Sequence, residues 1–92
     1  MTRHEYSQLI ISARGNTCEM CGADCDPSVY AMRPEVHHVK PKSKYPELQY
    51  DLNNGVVLCH KCHSIITIHE RKGRVWPPWA DRARELGLVL SV

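Results

Sequence analysis

The chain has 92 residues, a mass of 10.5 kDa and a formal net charge of +2. That is enough for one domain, and a core this small leaves little surplus over chain entropy, so a staple is expected. No apolar run approaches the roughly 20 residues of a membrane span, the polar start Met1 to Tyr6 lacks the apolar stretch of an export signal, and the charge permits a nucleic-acid partner without demanding one. The expected location is therefore the cytoplasm, with no membrane contact, where paired cysteines mean metal rather than disulfide. Cysteine and histidine supply the staple: the chain has 5 Cys and 6 His, and all but His4 lie between Cys18 and His69.

The N-terminal flank, residues 2–14, reads as a helix. Tyr6, Leu9, Ile10 and Ala13 recur on one face, Thr2 and Glu5 have capping-box spacing, and Gly15-Asn16 is a stop. Cys18-x2-Cys21 follows, with Gly22 permitting the tight turn that aims two thiolates at one ion. Asp24 to Pro34 is a loop whose apolar run, Val29 to Met32, is a candidate short strand. Val36 to Val39 reads as a strand. Pro41 to Asp51 is a basic, proline-punctuated loop, Asn53-Asn54-Gly55 a turn, and Val56 to Leu58 the second strand of a hairpin. A helical pattern runs from about Cys59 through Glu70, with Ile65, Ile66 and His69 on its packed face, and Gly73 ends it. Residues 74–92 form a tail. In it, Trp76-Pro77-Pro78-Trp79 reads as a rigid connector whose tryptophans pack a last helix, Ala80 to Leu86, onto the domain, followed by an apolar Leu88 to Leu90.

Two constellations carry chemistry. Cys18, Cys21, Cys59 and Cys62 form two CxxC knuckles, which place four soft ligands for tetrahedral zinc. Thirty-seven residues intervene between Cys21 and Cys59, so an inserted element is expected between the knuckles. Cys25 breaks the x2 spacing and reads as a bystander. The second constellation is His37-His38, Asn54 and His63. Adjacent strand residues face opposite ways, so His37 and His38 are expected to divide their labour, one binding metal and the other facing substrate. His63 follows Cys62 directly, so a structural site fixes its position. His4, His60 and His69 read as ordinary surface or core residues.

The segments Glu35-Val36-His37-His38-Val39-Lys40-Pro41, Asn53-Asn54-Gly55-Val56-Val57-Leu58-Cys59 and Lys61-Cys62-His63 resemble the HNH endonuclease family. The resemblance is to the branch whose ββα-metal finger is held by a CxxC…CxxC zinc site, and it spans about residues 18–69. It implies a small zinc-stapled α+β domain, a His-Me finger of treble-clef type with flanking helices, filling residues 1–92 as one nuclease unit. His38 matches the general base, and His37 and His63 match the ligands of a catalytic divalent ion. Asn54 matches the residue that braces the hairpin loop and helps orient the base, and the four cysteines match the structural zinc ligands. The implied activity is metal-dependent hydrolysis of DNA phosphodiester bonds, by nicking or double-strand cleavage. Small free-standing proteins of this kind occur in phages and bacteria, where a packaging or restriction protein is a partner class.

The chemistry agrees with that assignment. A near-neutral imidazole takes a proton from water at working pH, and one divalent ion holds the scissile phosphate and stabilises the leaving oxygen. An all-imidazole ligand set suits Zn2+, Ni2+ or Co2+ better than Mg2+, although open positions filled by oxygen admit Mg2+ or Mn2+. Lys40, Lys42 and Lys44 on the loop leaving the catalytic strand, with Arg71, are candidate phosphate contacts. A monomer with little surface for reading bases is expected to show weak sequence preference. The alternative is a non-catalytic zinc module binding nucleic acid or protein, which would need the cysteines but not the histidines. A thiol redox protein is disfavoured, since no thioredoxin-like pattern accompanies the CxxC pairs.

Overall fold

A computed structural model describes residues 1–90; the last two positions of the expected 74–92 tail lie outside the described residues. Helix α1 covers Arg3–Arg14 and starts as its sequence dictates. The Thr2 hydroxyl accepts from the Glu5 amide at 3.1 Å, and the Glu5 carboxylate accepts from the Thr2 amide at 2.9 Å. Only Tyr6 and Ile10 of the expected apolar face are buried, whereas Leu9 and Ala13 are exposed. The sheet below has two strands, and so narrow a surface covers a narrower stripe than a full amphipathic face.

The first knuckle is a turn. The Cys18 amide donates to the Ala23 carbonyl and the Gly22 amide to the Cys18 carbonyl, both at 2.8 Å. Gly22 sits at φ 78°, in the left-handed region that the sequence reserves for glycine. Beyond it, Val29 to Met32 is not a strand. Residues Tyr30–Met32 form a single 3-10 turn. The Asp26 carboxylate accepts from the Ser28 amide at 2.9 Å, and the Asp26 amide donates to the Met32 carbonyl at 2.8 Å. The segment thus closes on itself and offers no edge for pairing.

Strand β1, Pro34–His38, pairs antiparallel with β2, Gly55–Cys59, with His37 opposite Val56 and His38 opposite Gly55. β1 begins two residues before its expected start, since a proline can open a strand without spending a ladder donor. Every residue of β2 is buried. Helix α1 and helix α2, His60–Arg71, both pack on it, which explains a run that is apolar throughout rather than alternating. Ile66 is the fully buried anchor of α2, while Ile65 is half-buried.

Helix α3 covers Pro77–Glu85 and so starts earlier than the expected Ala80. The two prolines fill its first turn, where an amide donor is not needed, so the expected connector is the start of the helix itself. Trp79 and Ala83 are buried and dock α3 against the core, in keeping with the packing role expected of the tryptophans. Among the described residues, no helix is long and apolar enough to cross a membrane. Among the described residues, two antiparallel strands and three α-helices form a small α+β arrangement around a cysteine cluster.

Candidate active site and metal centre

The four paired cysteines converge. Cys18, Cys21, Cys59 and Cys62 place their sulfurs within 4.8 Å of one another, a spacing that fits one structural ion such as zinc. Cys59 ends β2 and Cys62 lies in the first turn of α2, so a single strand-to-helix corner contributes half of the set. Burial pushes the Cys18 thiol up, but backbone hydrogen bonds from Cys21, Cys59 and Met20 outweigh it and leave the pKa at about 7. A thiol poised in this way ionises readily for a cation. Cys25 is buried beside the cluster but outside it, and burial with the neighbouring thiols raises its pKa to about 11.

The strand pleat separates the two adjacent histidines. His37 points toward α2. Its ring centroid lies 5.2 Å from that of His63, edge to face, and 6.3 Å from Trp79. Its Nε2 is buried and has no hydrogen-bond partner, although the Glu70 carboxylate stands 3.4 Å away. A buried nitrogen lone pair or N–H left unmatched is costly, and a cation at that point removes the deficit. This orphaned atom is the observation by which the site fits a divalent ion.

His63 is oriented by a residue that sequence reasoning passed over. Its Nδ1 donates to Glu35 Oε1 at 2.7 Å, and His60 Nδ1 donates to the other oxygen, Oε2, at 3.0 Å. The carboxylate can only accept, so the neutral His63 ring carries its lone pair on Nε2, free for a metal. Burial lowers the His63 pKa against the opposing pull of Glu35, which favours that neutral form. Glu35 itself is pushed up by burial, but hydrogen bonds from His63, His60 and Arg33 outweigh it and hold its pKa below the usual carboxylate value. The signal was present: Glu35 and His37 are two apart on a strand and share a face.

His38 points to the opposite side, toward α1. Its ring stacks on Tyr6 with centroids 5.3 Å apart and planes 7° from parallel. The Nε2 donates to the Gln49 carbonyl at 2.8 Å, which leaves the lone pair of the neutral ring on Nδ1. Tyr6 is held in turn by its hydroxyl, which donates to the Asp51 carbonyl at 2.8 Å. Asn54 is buried and braces the loop. It accepts from the Lys40 amide at 2.8 Å and donates to the Lys40 and Leu48 carbonyls at 3.0 and 3.2 Å.

A groove of about 440 Å³ runs past His37, His38 and His63 and is flanked by Lys42 and Arg71. Lys44 lines an adjoining hollow, also with Arg71. The Lys40 ammonium instead lies 5.4 Å from the Tyr45 ring centroid. Three cations from distant parts of the chain, Arg3, Lys42 and Arg71, thus share one opening with the three histidines.

The two strands, the loop between them and α2 form a finger that carries paired histidines beside a four-cysteine cluster. The sequence model of the HNH endonuclease family matches residues 18–68, more than half of the chain, and the chain belongs to that family. No curated protein and no solved structure matches it.

Proposed function

We propose that the protein is a metal-dependent DNA endonuclease that hydrolyses phosphodiester bonds with weak sequence preference. The observation that carries the reading is the state of His38. Its Nε2 proton is committed to the Gln49 carbonyl, so its basic nitrogen is Nδ1, on a strand residue adjacent to the buried, unpartnered His37. Family membership supports the same reading.

In this mechanism His38 Nδ1 takes a proton from a water molecule, and the Gln49 carbonyl steadies the imidazolium that results. The Tyr6 ring keeps the imidazole plane fixed while the charge appears. His37 and His63 would hold a divalent ion, which supplies Lewis-acid stabilisation of the phosphate and the leaving oxygen. Asn54 ties the loop to the end of β1, and through Leu48 to the turn beside Gln49, so the base and its carbonyl partner move as one piece. Lys42 and Arg71 neutralise phosphates beside the cut, with Lys40 and Lys44 along the same loop. The cysteine centre takes zinc and is structural. This reading has residues 1–92 acting as one monomeric nuclease unit in the cytoplasm, with DNA as its partner and a packaging or restriction protein as a second.

The test compares the wild type with His38→Ala and His63→Ala on supercoiled plasmid, with and without each divalent metal, beside calorimetric metal titration. His38→Ala is expected to keep the fold and both metals and to lose cleavage by roughly a hundredfold or more, the range for general-base removal. His63→Ala is expected to lose the second ion and cleavage while zinc stays. Normal cleavage by His38→Ala, or loss of the second ion from it, would overturn the division of labour between the histidines, whereas no cleavage by the wild type with any metal on duplex, branched or single-stranded DNA would return the chain to the non-catalytic zinc module.

A further inference from the structure

Glu70 lies on α2 two helical turns beyond His63, past the last residue of the family match. Residues seven apart on a helix share a face, so His63 and Glu70 look toward the same side. The carboxylate Oε2 stands 3.4 Å from His37 Nε2, yet no hydrogen bond joins them, and His37 is only 6% exposed. A donor and a carboxylate oxygen that suited each other would close to about 2.8 Å. Two ligands each about 2.1 Å from one ion stand roughly 3.0 Å apart at octahedral angles and roughly 3.4 Å apart at tetrahedral ones, so the gap is of the size one ion spans. The separation therefore suits two ligands of one cation better than a donor and its acceptor.

We propose that Glu70 is a ligand of the catalytic ion, completing a set of two imidazoles and one carboxylate with His37 and His63. This rests on the reading above, in which those two histidines hold an ion. Among the described residues the four cysteines form the one group in which three or more ligand atoms already converge. Loading is therefore expected to close the three side chains on the ion, with the hydrogen bond from His63 Nδ1 to Glu35 kept behind the ring. A carboxylate changes the chemistry of the site: it adds a hard, anionic oxygen to two neutral nitrogens. The ion preference then moves toward Mn2+ and Mg2+, away from the Zn2+, Ni2+ or Co2+ expected of imidazoles alone.

The experiment titrates zinc-saturated wild type and Glu70→Gln with manganese chloride and, separately, nickel chloride by calorimetry, with thermal melting as the control for folding. The amide keeps the size and the helix propensity of the side chain but removes its charge. Glu70→Gln is expected to weaken manganese by roughly tenfold or more and nickel by much less, so the ratio of the two affinities falls. An equal loss for both metals would mean that Glu70 only positions His37, and unchanged affinities would mean that it plays no part. Either result overturns the proposal while leaving His37 and His63 as ligands. A wild type that takes up no second ion overturns the proposal together with the ion site beneath it.

Discussion

Glu35 divides its two carboxylate oxygens between His63 and His60, one residue on each side of the Lys61-Cys62 pair. Its charge is protected, because three donors outweigh the burial that would neutralise it. Glu35→Ala is therefore expected to free the His63 ring to turn and to weaken second-ion binding about 10- to 100-fold, the usual cost of losing a carboxylate behind a metal-binding histidine. The zinc content should stay at one per chain, so metal analysis beside calorimetry checks the prediction. At this scale the sequence was informative about direction: strand alternation alone sends His37 and His38 to opposite sides. It was silent about which nitrogen His38 and His63 present, because that depends on Gln49 and Glu35, partners 11 and 28 residues away along the chain.

The contact between α1 and β2 turns on one residue. Gly55 pairs with His38 across the sheet, and a methyl group added to it would come within 2.7 Å of Tyr6 Oη and 2.8 Å of Ile10 Cδ1. Tyr6 cannot yield freely, since its ring lies on His38 and its hydroxyl on the Asp51 carbonyl. Gly55→Ala is expected to cost about 1–3 kcal/mol by overpacking, read from the urea midpoint. Tyr6→Phe keeps the stacked ring and forfeits one hydrogen bond, so about 1 kcal/mol is expected with cleavage largely retained. The hairpin and the first two helices were legible because period and caps agreed there. Val29 to Met32 was not, since its backbone bonds locally, to Asp26 and within the segment; nor was the start of α3, because prolines that end a helix can equally begin one.

For the whole molecule, the cysteine centre is expected to decide whether the chain folds. Cys18, Cys59 and Cys62 lie in the buried core with Leu58 and Ile66, Cys21 is exposed, and no disulfide joins them among the described residues. Strong chelation is expected to melt the domain, and Cys59→Ser to do the same. Cys25→Ser should keep the zinc and lose about 1–3 kcal/mol, since the hydroxyl enters a buried position with no assured partner. Thermal melting with metal analysis separates these cases: loss of zinc in Cys25→Ser would place that thiol among the ligands. The spacing of the cysteines announced this centre plainly, whereas the charge of Glu70 at the second site could be weighed only once α2 was seen to lie across β1.

A bound ion would also tie Cys21 to Cys59, so the 37 residues between them form a ring that contains all of β1 and the lysine loop. The entropy of closing such a ring grows only with the logarithm of its length, and each doubling costs about 0.6 kcal/mol. The exposed stretch from Asp26 to Val29 can therefore be lengthened at little thermodynamic penalty. New chain inserted there would emerge beside Tyr30, whose ring lies under the Arg33 guanidinium at 4.4 Å, and Arg33 in turn grips Glu35 at 2.9 Å. The ring thus leaves, next to the histidine network, a place where added chain is expected to be accepted without rebuilding the finger.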